Sequence, residues 1–130
     1  MKRQLNFIDL FCGAGGFSLG LKNAGFNCVG AFDNWGPAIK THSKNFKSVK
    51  IYTKSIQNYS NLEIKEIFKN IKIDLIIGGP PCQGFSSIGK QDSNDKRNDL
   101  IFEFGRIVKL LNPNFFIMEN VSGLTHDKNI

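Results

Sequence analysis

Five residues, Ile73-Asp74-Leu75-Ile76-Ile77, run directly into Gly78-Gly79-Pro80-Pro81-Cys82-Gln83-Gly84-Phe85-Ser86-Ser87, and this junction limits what the chain can become. So short and continuous an apolar run predicts a strand buried on both faces, as in parallel sheets covered by helices. Its carboxyl end is then the edge where open α/β sheets bind ligands. Glycines admit another backbone and the two prolines stiffen the turn, so Cys82 is expected on a rigid support. A cysteine after a strand is usually only buried, but the residues on both sides of Cys82 favour a nucleophile's mounting.

The rest of the chain repeats the alternation of strand and helix. Leu5 to Phe11 reads as a first buried strand, Cys12-Gly13-Ala14-Gly15-Gly16 as a glycine-rich turn, and Phe17 to Ala24 as a helix closed by Gly25. Such a turn brings backbone N–H groups and a helix start close to a ligand. The dinucleotide fingerprint fails here, because Ser18 stands where its third glycine belongs. A second strand, Asn27 to Phe32, delivers Asp33 within about 20 residues of that turn, where an acid can meet ribose hydroxyls. The bland alternative for Asp33 is a cap on the next helix, which Pro37 opens. That helix runs from Pro37 to Phe46. His42, mid-helix with no second ligand at metal spacing, is expected at the surface, and Lys44, Lys47, Lys50 and Lys54 read as a solvated basic run. A strand at Val49 to Tyr52 and a helix at Asn61 to Asn70 follow, the helix with Leu62, Ile64, Ile67 and Phe68 as its apolar face. Beyond the loop 86–98, a helix reaches Leu111 with Phe104, Ile107, Val108 and Leu111 spaced for packing. The last strand, Asn114 to Met118, ends in Glu119-Asn120-Val121.

Pro80-Pro81-Cys82-Gln83-Gly84-Phe85-Ser86 resembles the catalytic segment of the DNA (cytosine-5) methyltransferase family. The resemblance implies a thiolate at Cys82 that adds to C6 of cytosine, so that C5 accepts a methyl group from S-adenosylmethionine. Phe11-Cys12-Gly13-Ala14-Gly15-Gly16-Phe17 is similar to the family's cofactor loop, which implies cofactor contacts for Phe11, Gly13, Gly15 and Gly16. Asp33-Asn34-Trp35-Gly36-Pro37-Ala38 is similar to its second motif, with Asp33 for the ribose and Asn34 or Trp35 beside the adenine. Ser55-Ile56 falls where the family has Asp-Ile at the adenine amino group, so an uncharged acceptor replaces a carboxylate. Pro80 and Leu100 are further implied cofactor contacts, the latter from the family's Arg-x-x-Leu step at Arg97-Asn98-Asp99-Leu100. Glu119 is implied as the acid that holds N3 and the amino group of a flipped cytosine. Pro81, Gln83, Gly84, Ser86, Ser87, Asn120 and Val121 are implied at the target base or its strand, and Lys90, Lys96 and Arg97 at phosphates.

The resemblance covers nearly the whole chain but only the family's cofactor and nucleophile half. Its later Gln-x-Arg-x-Arg motif, target-recognition region and ninth and tenth motifs are absent. The expectation is therefore a truncated, three-layer α/β Rossmann-like S-adenosylmethionine-dependent methyltransferase fold. Residues 1–130 would form a partial catalytic domain acting on DNA, with a possible second polypeptide supplying target recognition. Two alternatives stand beside it, an RNA cytosine-5 methyltransferase and a non-catalytic or split-enzyme fragment. The net charge of +6 is compatible with a polyanionic partner. Cys12, Cys28 and Cys82 form no CxxC pair, so no metal is expected and a cytoplasmic, reducing setting is the default. No segment is long and apolar enough to span a membrane, and Asn6 and Asp9 interrupt what could pass for a signal peptide.

Overall fold

The computed structural model describes residues 2–81 and 99–120. Its elements, in chain order, are β1 (Asn6–Leu10), α1 (Gly16–Asn23), β2 (Asn27–Phe32), α2 (Gly36–Asn45), β3 (Ile51–Tyr52) and a 3₁₀ turn (Ile56–Asn58), then α3 (Asn61–Phe68), β4 (Leu75–Gly78), α4 (Asp99–Leu111) and β5 (Phe115–Met118). The strands form one parallel sheet in the order β3-β2-β1-β4-β5, the doubly wound arrangement expected from the alternation. Every strand and α-helix falls within a few residues of its predicted place, while the 3₁₀ turn was not foreseen.

Burial follows strand parity. Ile8 and Leu10 of β1 face one core with Phe32, Ile64, Phe68, Ile76, Phe104 and Ile107, which α3 and α4 cover. Phe7 faces the other core, with Cys28, Leu75 and Ile77, against Phe17 and Leu21 of α1. The helices that separate these layers are locally specified. Ser60 and Glu63 form a reciprocal capping box at the start of α3. At the amino-terminal side of the sheet, Arg3 grips buried Asp74 with two bonds of 2.8 and 2.6 Å, while Asn6 N donates to the same carboxylate at 2.8 Å. This pins β1 to the start of β4 and holds the Asp74 carboxyl down at about 2.

Two expectations are corrected. His42 is fully buried rather than superficial, because Ala38, His42 and Phe46 share the inward stripe of α2 at helical spacing. Its ring packs against Phe46 at 4.5 Å, and burial lowers its pKa. Leu62 is 79% exposed: Ile64 and Phe68 occupy the core instead, with Ile67 partly buried beside them. The outer strand β5 leaves Phe115, Phe116 and Ile117 exposed as well, and no described strand pairs with its far edge.

Candidate active site

The carboxyl edge of the sheet is shaped by where β1 ends. Phe11 adopts φ 62, Gly13 φ 55 and Gly15 φ 98, a run of left-handed turns that folds the chain back into α1. Gly15 is required on two counts, since a Cβ there would run into the Phe46 ring and stand 2.9 Å from His42. The buried His42–Phe46 pair is thus the support beneath the glycine-rich turn. From the neighbouring strand, Asp33 ties the turn down: one carboxylate oxygen accepts from Gly13 N and the other from Trp35 N, both at 2.8 Å. Asp33 does not cap α2, whose N-cap is Trp35 with no side-chain cap bond; it braces the approach to that helix through Trp35 N and faces the cleft at once.

A cavity of about 270 Å³ opens beside Asp33. Of the residues expected at a cofactor, Phe11, Asp33, Asn34, Trp35, Ser55, Ile56 and Leu100 line it. Gly13 reaches it through Asp33, whereas Gly15 and Gly16 line a separate hollow between α1 and α2. Pro80, expected at the cofactor, is buried, and its carbonyl accepts from Asn120 Nδ2 at 3.4 Å. Pro81, expected on the DNA side, lines the cavity instead. Phe32, Lys54 and Gly79 line it too and were not foreseen; for Phe32 and Gly79, closeness to the motif residues was the only signal.

A second, more open hollow of about 680 Å³ lies across the edge and is lined by Asp9, Phe11, Cys12, Phe17, Ile117 and Glu119, together with Gly79. Phe11 and Gly79 belong to both hollows, so they form the sill between them. Parallel pairing of β4 with β5 carries Glu119 to this sill, where its N–H donates to Gly78 O at 2.9 Å. A Cβ at Gly79 would stand 3.0 Å from Glu119 Oε2, so glycine lets the carboxylate close over the turn.

Sequence reasoning missed Asp9. It is buried, accepts from Ser18 Oγ at 2.6 Å, and faces the same hollow as Glu119. Burial raises its pKa to about 7 against the opposing pull of the Ser18 bond, with the Asp33 charge adding to the rise. Burial also pushes the Cys12 thiol far up and the Cys28 thiol up to about 11, so neither is suited to act as a thiolate near neutral pH. Cys82 lies outside the described residues, as do Gln83, Gly84, Ser86, Ser87, Lys90, Arg97 and Val121. Among the described residues no cluster of three or more His, Cys, Asp or Glu could hold a metal, and no helix is long and apolar enough to cross a membrane.

Comparison with known proteins points the same way. The family model for C-5 cytosine-specific DNA methylase matches residues 5–130. The Type II methyltransferase M.DdeI of Desulfomicrobium norvegicum is 45% identical over 120 residues, which are 92% of this chain and 28% of that protein. M.HgiGI of Herpetosiphon aurantiacus is 47% identical over 117 residues, 88% of either chain. Among solved structures, a prophage-encoded DNA modification methyltransferase of E. coli superimposes with a TM-score of 0.84 at 44% identity, over 96% of this chain and 34% of that one. Spodoptera frugiperda DNMT2 gives 0.70 at 30% identity, over 93% and 37%. The chain spans about a third of the length of most of these relatives.

Proposed function

The chain belongs to the C-5 cytosine-specific DNA methylase family, and on that premise we propose that it carries the cofactor and nucleophile half of an enzyme methylating cytosine C5 in DNA. The observation that carries the proposal is the pair of hollows meeting at Phe11 and Gly79, one beside Asp33 and the other beside Glu119. The smaller one suits an adenosine. Its size approaches the lower end of small-ligand sites, about 300 Å³, and aromatic and aliphatic walls from Phe11, Trp35, Ile56 and Leu100 surround a few polar groups. Asp33 spends one hydrogen bond per oxygen on the protein, which leaves lone pairs on each for ribose hydroxyls. S-adenosylmethionine held there supplies an electrophilic methyl group.

The chain's own residues would prepare the acceptor. The Cys82 thiolate adds to C6 of a cytosine drawn out of the stack, while protonated Glu119 donates to N3 and withdraws electron density from the ring. C5, enriched by the thiolate's addition, would take the methyl group and leave S-adenosylhomocysteine; solvent water would then take the C5 proton as the C6–S bond breaks to return the Cys82 thiolate, and N3 would hand its proton back to Glu119. Such acid help is worth about two to four powers of ten in rate. Drawing a base from the duplex costs a few kcal/mol, which the contacts of a target-recognition region repay. We therefore place this chain in a working unit with a second polypeptide or segment supplying that region, and the Type II relatives favour a restriction-modification setting. The exposed β5 offers a place for added strands.

The test combines the chain with a segment carrying a target-recognition region and measures tritiated methyl incorporation into DNA, with RNA in parallel. Incorporation into DNA and trapping on 5-fluorocytosine DNA at Cys82 are expected, and Cys82→Ser should abolish both while leaving cofactor binding intact. Trapping at another residue, or turnover in Cys82→Ser, would refute the mechanism. The chain alone should bind S-adenosylmethionine weakly, because Ser55 is uncharged, and calorimetry checks this.

A further inference from the structure

Ser55 and Ile56, where the 3₁₀ turn Ile56–Asn58 begins, line the adenosine cavity, yet three residues of 3₁₀ helix are too few and too poorly bonded to hold themselves. Their carbonyls are gripped from α4. Arg106 Nη2 donates to Ile56 O at 3.2 Å and to Tyr59 O at 3.1 Å, and Nη1 donates to Asn61 Oδ1 at 2.6 Å. Nε donates to Glu103 Oε2 at 2.8 Å, so every guanidinium nitrogen has a partner and the charge is balanced within one turn of helix. The side chain is only 25% exposed. A planar fork can hold two carbonyls and an amide oxygen together, as a lysine cannot. The same helix supplies Leu100 to the cavity, so Arg106 joins the part of the wall built from α4 to the part built from the turn.

The turn in its turn sets Ser55. Ser55 Oγ donates its hydrogen to Gln57 Oε1 at 2.9 Å, which leaves the hydroxyl lone pairs to accept a bond from the cavity. We infer that Arg106 is a positioning residue for base recognition in the cofactor site: it fixes the turn so that Gln57 turns Ser55 into an acceptor for the adenine amino group. This deepens the cofactor reading above and rests on it. Nothing in the sequence pattern marks Arg106, which lies among the helical residues of α4.

Trp35 is the chain's single tryptophan and lines the cavity, so its fluorescence reports occupancy directly. The probes are S-adenosylhomocysteine and S-inosylhomocysteine, which differ in an amino group against a carbonyl. The unaltered chain should prefer the adenosyl ligand by about tenfold or more, because the inosyl carbonyl meets an acceptor. Arg106→Met should weaken the adenosyl ligand alone until the preference falls within about threefold, and Arg106→Lys, restoring one bond of the grip, should recover part of it. Equal weakening of both ligands, or an unchanged preference, overturns the inference. Should Arg106→Met fail to fold, Asn61→Ala and Arg106→Lys must each show a partial loss of preference, and its persistence in both overturns the inference equally. An unaltered chain that binds both ligands alike removes this role but keeps the cofactor site. One that binds neither removes the cofactor reading as well.

Discussion

The two hollows at the carboxyl edge share a sill but are completed to different degrees. Around the cavity beside Asp33, that carboxylate has a partner for each oxygen, the turn at Ile56–Asn58 is held by Arg106, and the main core packs directly behind the wall. Around the second hollow, Glu119 is exposed, Asp9 is a buried acid held near neutrality, and the flanking strand β5 shows its aromatic side chains to solvent. One end is built from mutually fixed contacts; the other brings Asp9 and Glu119 to a flank that lies open at β5. The cavity beside Asp33 is therefore the more firmly supported of the two, and the second hollow the one whose flank at β5 lies open.

Four changes would break or sharpen this contrast. Gly15→Val should be the most damaging, since the new side chain enters space held by Phe46 and His42 at a φ that β-branched residues avoid. A loss of about 3 to 5 kcal/mol of stability is expected in denaturant melts. Asp9→Asn should act at the other end and in the opposite direction. The folded chain keeps the Asp9 proton up to about pH 7 while the unfolded chain releases it near 3.8, so in that window the folded state binds more protons. Stability attributable to Asp9 must then fall as pH rises across the window, by about 4 kcal/mol over its whole width and about 3 kcal/mol between pH 5 and pH 8, and the asparagine variant should flatten this slope in melts at those two pH values. Asp33→Asn should weaken S-adenosylhomocysteine about tenfold by calorimetry, since a charge-assisted acceptor becomes a neutral one. Smallest of all, Glu119→Gln should move stability by less than about 0.5 kcal/mol, as exposed substitutions do, and leave cofactor affinity unchanged. A large drop in either quantity would show that the second hollow is already structured by its acid.

The same contrast explains what the residues disclosed in advance. β2, β4 and β5 were legible because each is a short apolar run that stops at a glycine or an acid, and β2 matches its predicted limits, Asn27 and Phe32. Asp33 and Ser55 were legible because they end strands or open turns in motif order. What escaped depended on partners far away in the chain. His42 looks polar in any window, and only the stacking on Phe46 beneath Gly15 explains why α2 turns it inward. Asp9 resembles an interruption in an apolar strand until Ser18 of α1 comes over it. Arg106 reaches back across 45 to 50 positions to its partners, a range no periodicity covers. Leu62 misled for the opposite reason, since it lies next to the apolar stripe of α3 without being part of it.

The strand order carries a last consequence, for the path by which the chain folds. β1 is central, and Phe7 pairs with Cys28 on one side and with Leu75, most of the chain later, on the other. During synthesis β1, α1 and β2 can meet early, so the glycine-rich turn and Asp33 come together while β1 still has one unpaired edge. That edge stays open until β4 emerges with Asp74 to receive Arg3. Closing so long a loop is slow relative to local pairing. The half-built sheet is thus the species most exposed to wrong partners, and the Arg3–Asp74 clasp is placed where it can seal the late pairing once it forms. Asp74→Asn should therefore speed unfolding more than it slows refolding in a denaturant series, as expected of a contact made after the pairing it seals.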